Sequence, residues 1–417
     1  MKKKYTPFIL IFLLCVTFWI SWSYPFIKFR NDEIATGHML KSIEKISHTP
    51  HSFRNPKERA MVRSYLTEQL QKQGAQVQLF SYDSIPTRTG DSVRITNIYA
   101  RLDPKQVHDS TQYILFLAHY DSSGKTSALT PDSTYSFGAA DDGYGLAVIL
   151  ETVRRLKQTH SEWRQGIKVL FTDLEEEHMA GMKKALERNP EIFDQVNFAI
   201  NIEARGVKGP ALLFETSPRN EKLMQLYRVA SDTYSYSLTS AVYRVMPNYT
   251  DFACIRNQIP GLNFAVIDNL NYYHTEQDQF TNVSEKSLNH YLRQITPITR
   301  KYLTDPYFSA PDALQGKRDR IFFLFPPFGT LLFSITTWKI ITYAIIFLFG
   351  FTLFLLRKNK YICRRSLLAK TGIVFSVTTG IIIAGTGIAY AITHLAGRVY
   401  NPILTLYVPF DGTITIG

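Results

Sequence analysis

The chain has 417 residues, of which 45% are hydrophobic and 20% charged, and its formal net charge is +12 at pH 7. This length holds one large domain of about 250–300 residues and an additional part. Nine cations flank hydrophobic runs, where they act as membrane-topology signals. The rest of the chain is close to neutral, which argues against nucleic-acid binding. The three cysteines, Cys15, Cys254 and Cys363, exclude a disulfide framework and a thiolate zinc site.

The N-terminal segment Tyr5–Ile27 contains 23 residues without a charge, which is long enough to span a bilayer. Three lysines precede it, and Trp19, Trp22 and Phe26 lie near its end. This aromatic belt favours a retained anchor, with a cleaved signal peptide as the alternative. Residues 1–30 are therefore predicted to be a cytoplasmic tip and an N-terminal transmembrane anchor.

Two further uncharged runs, Ile340–Leu356 and Thr371–Ile392, also have spanning length. The positive-inside rule places the six cations between them in the cytoplasm, together with the N-terminal lysines. Both conditions hold only if residues 31 to about 336 lie on the opposite side of the membrane from the cytoplasm. That side is the periplasm or the exterior for a bacterium and a lumen for a eukaryote. We therefore predict an integral membrane protein whose large domain is non-cytoplasmic.

The domain boundaries follow from these segments. Residues 31–315 are predicted to form the large domain, and residues 316–417 a C-terminal membrane region with two transmembrane helices. Within this region, Ile321–Thr336 is apolar but is interrupted by two prolines and a glycine. It is expected to be strand or interfacial structure, with a broken membrane helix as the alternative.

The large domain alternates apolar runs with helical patterns. Pro56–Gln73 has helical periodicity and stops at Gly74, which serves as a C-cap. Runs that are apolar on both faces predict a central sheet covered by helices. The fold class is therefore α/β, with a mixed, largely parallel central β-sheet sandwiched by helices, in addition to the transmembrane helices. The predicted strands are Tyr113–Ala118, Ile167–Thr172, Asn197–Asn201, Ala211–Phe214 and Leu262–Ile267, and the clearest helices are Leu146–Leu156, Glu221–Ser231 and Ser284–Tyr302.

Polar groups cluster just beyond the predicted strands, where α/β folds bind their ligands. Taken singly, each group has a structural explanation: a surface turn, a helix N-cap or a solvated acidic patch. Together, two histidines and several carboxylates at strand ends are explained better by metal binding. The groups are His119-x-Asp121, Asp141-Asp142 in a glycine-rich turn, Glu175-Glu176-Glu177, Glu203 and Tyr273-His274.

These ligand types indicate the kind of metal site. Imidazole and carboxylate without thiolate suit zinc, and suit manganese or cobalt less well. One carboxylate shared by two metals, with one histidine and one further carboxylate on each, makes a two-metal hydrolytic site.

The ordered motifs resemble those of a known family. His-x-Asp, Gly-Ala-x-Asp-Asp-x-x-Gly, Glu-Glu-x-x-x-x-Gly and Tyr-His are similar to the motifs of the family-28 zinc metallopeptidases of clan MH. That family includes enzymes of the aminopeptidase Y and glutamate carboxypeptidase types. The resemblance covers about Asn55 to Leu303. The stretch Asn-Ile-Glu-Ala-Arg-Gly resembles the membrane-anchored vacuolar and endoplasmic-reticulum members.

The resemblance implies a zinc exopeptidase fold with two zinc ions per chain and a zinc-bridging hydroxide as nucleophile. It also implies catalytic roles for three other residues: Glu175 as general base, Asp121 as the group that orients His119, and Tyr273 as a donor to the tetrahedral oxyanion. The implied ligands are His119 and Glu203 for one zinc, Glu176 and His274 for the other, and Asp141 as the bridge.

The sequence departs from the family pattern at two places. Most members have Asp where Glu203 stands, although Glu is also a zinc ligand type. The usual Gly-Leu pair of the glutamate motif is replaced by His178 and Met179, and His178 is an alternative ligand. Glu177 is expected to be a solvated neighbour of the site.

Three functions are compatible with this pattern. The first is a membrane-anchored di-zinc peptidase, an aminopeptidase by resemblance, whose partners are a peptide substrate and the lipid bilayer. The second is a glutaminyl-peptide cyclotransferase, which uses one zinc on the same fold; Asp142 and the complete set of five ligands argue against it. The third is a non-catalytic receptor or scaffold, which the retained ligands disfavour.

Overall fold

A computed structural model describes residues 12, 15–16, 32–87, 90–124, 136–244, 246, 249–325, 328–359, 372–373, 375–377 and 379–380. The predicted spans Tyr5–Ile27 and Thr371–Ile392 lie outside the described residues, apart from these scattered positions, and so does the cationic connection beyond residue 359. The chain divides into two compact units, and the larger one ends at Phe333.

Seven strands form the central sheet of the larger unit. In chain order they are β1 (Gln76–Pro86), β2 (Ser92–Leu102), β3 (Tyr113–His119), β4 (Gly166–Thr172), β5 (Val196–Ala204), β6 (Leu212–Thr216) and β7 (Gly261–Val266). Their order across the sheet is β1-β2-β4-β3-β5-β7-β6. The four middle strands are parallel, and both edges are completed by antiparallel pairing. The predicted mixed, largely parallel α/β sheet is confirmed.

Helices cover both faces of this sheet, which explains why all residues of β3 and β4 are buried. The helices of the larger unit are α1 (Glu33–Ile46), α2 (Pro56–Lys72), α3 (Gly143–Leu156), α4 (Ala180–Arg188), α5 (Glu221–Tyr227), α6 (Ser237–Tyr243), α7 (Phe252–Ile255) and α8 (Glu285–Thr304). The packing of α3 and α8 beside β3 and β5 builds the main apolar core. The predicted helices and strands are confirmed, with ends that shift by a few residues.

The apolar stretch after residue 320 forms a small second sheet. Strands β8 (Arg320–Leu324) and β9 (Thr330–Ser334) pair with each other. The chain turns between them at Gly329, whose φ of +78° suits glycine, and the N–H of Phe325 donates to the Gly329 carbonyl at 2.9 Å. Of the two interpretations of this stretch, strand is confirmed.

Helix α9 (Ile335–Lys358) contains the predicted span Ile340–Leu356. Its 24 residues give a length of about 36 Å, enough for a hydrocarbon core of about 30 Å. Among the described residues it is the one helix long and apolar enough to cross a membrane. Large side chains such as Phe347 and Phe349 are exposed along it, and it ends at the first cations of the predicted cytoplasmic connection.

Candidate metal centre

The carboxyl ends of the parallel strands meet at one edge of the sheet, and the five predicted ligands lie there. His119 is the last residue of β3, and Glu203 is the next-to-last residue of β5. Glu176 follows β4, His274 follows β7, and Asp141 lies just before α3. Parallel strand order therefore brings residues separated by up to 155 positions to the same edge of the sheet.

Asp141 faces two groups of ligand atoms, one with each carboxylate oxygen. Its Oδ1 lies 3.2 Å from Nε2 of His119, which in turn lies 3.6 Å from Oε2 of Glu203. Its Oδ2 lies 3.2 Å from Nε2 of His274, which lies 2.9 Å from Oε1 of Glu176. Within each group the ligand atoms lie within 4.8 Å of one another. Two adjacent groups of potential cation ligands thus share Asp141.

Unsatisfied polar atoms test whether these residues fit a metal. Nε2 of His274 and Oε1 of Glu176 are buried and 2.9 Å apart, yet neither atom makes a hydrogen bond. Buried polar atoms without partners are costly, so such a pair calls for a third group. A cation that accepts lone pairs from both atoms satisfies them. Imidazole nitrogen and carboxylate oxygen are also the ligands of catalytic zinc, so the residues fit zinc.

The pKa values of the site residues show that these carboxylates and imidazoles need positive charge beside them. Burial alone would raise the pKa of Asp141, but the adjacent imidazoles of His119 and His274 outweigh it and hold the pKa below its ordinary value. Burial alone would lower the pKa of His274, but Glu176 and Asp141 raise it to about 9. Protons on the histidines thus supply the positive charge that a divalent cation would supply in their place.

Asp121 connects His119 to the turn that carries Glu175 and Glu176, which we call the glutamate turn. The expected contact to the Asp121 carboxylate is long, with Oδ1 3.5 Å from Nδ1 of His119. Instead, Nδ1–H of His119 donates to the backbone carbonyl of Asp121 at 2.9 Å. The carboxylate of Asp121 accepts the backbone N–H groups of Glu175 at 2.9 Å and of Glu176 at 3.3 Å. Asp121 therefore fixes the backbone of the predicted base and of a predicted ligand.

The glutamate turn starts at Leu174, which has a left-handed φ of +63° and is buried. A bulky residue in that conformation marks local strain, which is often found at functional sites. Glu175 and Glu176 are half-buried beyond it, and burial raises the pKa of both carboxyls. His178 is exposed and belongs to neither ligand group.

The expectation that Glu177 is solvated is wrong, because its side chain is only 5% exposed. The N–H of Met179 donates to the carbonyl of Glu175 at 2.7 Å, which closes a tight turn before α4. This turn directs Glu177 inward and His178 outward.

The adjacent aspartates have separate tasks. Asp142 is the N-cap of α3, where its carboxylate accepts the N–H of Gly145 at 2.9 Å. It also accepts the N–H of His119 at 3.3 Å, so it ties β3 to α3. The Asp142 carboxylate is thus engaged by backbone N–H groups, whereas the Asp141 carboxylate faces both ligand groups.

Two residues near the site were not predicted from the sequence. Asp278 is buried and accepts the N–H groups of Ala140 at 2.7 Å and Asp141 at 3.2 Å. The signal for it was an aspartate four residues beyond His274, in the same loop. The side-chain amide of Asn201 donates to Oε1 of Glu203 at 3.2 Å. This bond orients the Glu203 carboxylate, whose Oε2 faces His119.

Tyr273 lies against the second ligand group. Its ring stacks on that of His274, with centroids 3.6 Å apart and planes at 24°. Burial raises the pKa of Tyr273 well above its ordinary value, so the phenol keeps its proton at neutral pH. It is a hydrogen-bond donor beside the predicted ligand His274.

The fold and the paired histidine and carboxylate groups are those expected of a zinc metallopeptidase. Residues 97–299 match the sequence pattern of peptidase family M28. The chain therefore carries a domain of peptidase family M28, a family of zinc metallopeptidases, as the motif resemblance predicted.

Curated relatives include membrane-associated members of this family. The chain is 30% identical to mouse endoplasmic reticulum metallopeptidase 1 over 204 residues, which are 48% of this chain and 21% of that protein. It is 26% identical to the vacuolar membrane protease of Schizosaccharomyces japonicus over 299 residues, which are 67% of this chain and 33% of that protein. The chain thus spans a third or less of the length of these relatives.

Solved structures share the fold at low sequence identity. An aminopeptidase from Aneurinibacillus has a TM-score of 0.52 at 13% identity, covering 68% of this chain and 97% of that one. Glutaminyl cyclase from Bacteroides thetaiotaomicron has a TM-score of 0.51 at 17% identity, covering 64% of this chain and 98% of that one. Peptidases and cyclases are thus equally similar in fold.

Proposed function

We propose that the chain is a membrane-anchored di-zinc peptidase that removes N-terminal residues from peptides. The observation that carries this proposal is the position of Asp141 between two complete ligand groups. His119 and Glu203 would hold one zinc, Glu176 and His274 the other, and Asp141 both. Bound there, zinc would polarise the scissile carbonyl and lower the pKa of a water molecule.

The remaining steps belong to the side chains. Glu175 is the general base: it takes a proton from the attacking water and passes it to the leaving amine. The hydrogen bonds from the backbone N–H groups of Glu175 and Glu176 to the Asp121 carboxylate hold the general base and one proposed ligand in fixed positions. The hydroxyl of Tyr273 donates to the substrate oxygen as negative charge develops on it.

Aminopeptidase action is supported by the motif resemblance, because that family includes aminopeptidases, whereas the shared fold does not separate aminopeptidases from cyclases. Such action is supported also by the segment between Asp141 and His274, whose described part forms only the sheet and its helices. That part includes no inserted domain large enough to form a lid that recognises the C-terminal carboxylate of a carboxypeptidase substrate. We expect peptides with a free N-terminus to be cleaved and their N-acetylated counterparts to be cleaved poorly. Liquid chromatography of digests by the zinc-loaded protein checks this. Equal or faster cleavage of the acetylated set contradicts it.

Metal stoichiometry separates the peptidase from a cyclase or a scaffold. Asp142 does not distinguish a peptidase from a cyclase, because it caps the N-terminus of α3 and a serine can cap a helix equally well. The five ligands do discriminate, so we expect two zinc ions per chain and loss of hydrolysis after chelation. Elemental analysis of the purified protein measures this. One zinc would favour the cyclase, and none the scaffold.

The membrane location is supported by the names of the curated relatives and by helix α9. We propose residues 1–30 as anchor, 31–315 as a non-cytoplasmic peptidase domain and 316–417 as membrane region. In a chain whose other cysteines are replaced, Cys363 should resist a membrane-impermeant thiol reagent until the cells are permeabilised. A cysteine replacing the exposed Lys317 should react in intact cells. The reverse pattern would invert the topology.

A further inference from the structure

Arg205 lies two residues beyond the predicted ligand Glu203, directly after β5. Its backbone N–H donates to the carbonyl of Val266 at 2.9 Å, which extends the pairing of β5 with β7. Because side chains alternate along a strand, Arg205 and Glu203 lie on the same face of the sheet. The arginine side chain therefore leaves the strand on the side of the metal centre.

The guanidinium of Arg205 packs on an aromatic ring of the site. Its central carbon lies 5.3 Å from the centroid of Tyr273, a cation–π contact. Tyr273 in turn stacks on His274 at 3.6 Å. One ring thus separates the positive charge from a predicted metal ligand, and the arginine side chain is partly exposed.

This arginine lacks the carboxylate partner that Arg256 and Arg293 have. Arg256 lies 2.5 Å from Glu215, and Arg293 lies 2.5 Å from Asp232. Within the described part of the chain, Arg205 forms no ion pair with an acidic residue. A partly desolvated guanidinium without a carboxylate is costly, and its planar fork matches two carboxylate oxygens. Its position suggests that a ligand supplies the missing group.

We propose that Arg205 binds a carboxylate of the peptide substrate next to the scissile bond. The inference rests on the proposed peptidase function for the identity of the ligand. The carboxylate comes either from an Asp or Glu side chain beside that bond or from the free C-terminus of a dipeptide. Both sources present the same pair of oxygens to the guanidinium.

The test compares kcat/KM for matched peptides with the full-length, zinc-loaded protein in detergent. The pairs are Glu against Gln on either side of the scissile bond, and a dipeptide against its amide. The wild type should prefer at least one anionic member by roughly 10–100-fold, as a charge-assisted bidentate contact allows. Which pair shows the preference identifies the source of the carboxylate.

Variants assign that preference to the guanidinium. Arg205→Met should bring the anionic-to-neutral ratio close to unity, and Arg205→Lys should give an intermediate ratio because a point charge replaces the fork. Arg228→Met, at an exposed position after α5, is the matched control and should keep the wild-type ratio.

Calorimetric binding of the same peptides to zinc-loaded Glu175→Gln protein gives a readout that needs no hydrolysis. Tighter binding of the anionic peptide should disappear when Arg205→Met is added. Absence of the preference in both assays, or its survival in Arg205→Met, overturns the proposal. If nothing is hydrolysed but the anionic peptide still binds through Arg205, peptidase action fails and the Arg205 site stands.

Discussion

Glu175→Gln should lower kcat by roughly 10²–10⁴-fold, the range for loss of a general base, while zinc content and substrate binding persist. The substitution keeps the size of the side chain and leaves the backbone bond to Asp121 in place. It removes only the capacity to accept a proton. Steady-state kinetics and elemental analysis of the same preparation check both halves of this prediction.

Glu176→Gln should fail in a different way, although the two residues are neighbours. Oε1 of Glu176 faces His274 and makes no hydrogen bond, as expected of a metal ligand. A neutral amide is a weaker ligand, so one zinc should bind less tightly and the protein should unfold at lower temperature. Excess zinc should partly restore activity to Glu176→Gln and not to Glu175→Gln.

The control for this pair has to come from outside the turn. Glu177 cannot serve, because its side chain is buried and a change there would disturb packing. Glu162 is exposed and precedes β4, at the opposite end of that strand from Glu175 and Glu176, so Glu162→Gln should leave kcat and zinc content unchanged. Zinc loss in Glu175→Gln with retention in Glu176→Gln would mean that the roles of the two glutamates are exchanged.

The buried parallel strands were predictable, because runs such as Tyr113–Ala118 are apolar on both faces. Once four such strands are placed in parallel, their carboxyl ends lie at one edge, and His119, Glu203 and His274 must come close. By contrast, β1 and β2 were not predicted. Strand β1 is an edge strand whose residues are mostly exposed and polar, so it leaves little hydrophobic pattern in the sequence.

The details of the site depended on local turns that the sequence does not specify. The burial of Glu177 follows from a tight turn after a left-handed Leu174, a conformation that no propensity predicts for leucine. Asp278 is important because it reaches across to the backbone at Asp141, 137 positions away. Contacts of that range come only from the assembled fold.

The last prediction concerns how metal and pH together control stability. In the metal-free protein, burial raises the pKa of both Asp278 and Asp251 to about 7, and neighbouring carboxylates raise that of His274 to about 9 against the opposing effect of burial. A folded-state pKa above the unfolded value means that the native state binds more protons. Stability from such groups is complete below the unfolded pKa and is lost as pH rises through the folded pKa.

Below pH 7 the buried His51 and His290, whose pKa values burial lowers to about 4, oppose this trend. We therefore expect the chelator-treated protein to lose stability between about pH 7 and 9, with the melting temperature falling by about 5–10 °C for a loss of several kcal/mol. The zinc-loaded protein should show the opposite slope. The histidines must release their protons before they bind metal, so zinc affinity rises with pH, and the bound charge lowers the pKa of nearby carboxyls. Thermal unfolding of both forms in detergent at pH 5.5, 7 and 9 measures the two slopes. Parallel curves would show that zinc does not replace protons at His119 and His274, and the metal centre would then lie elsewhere.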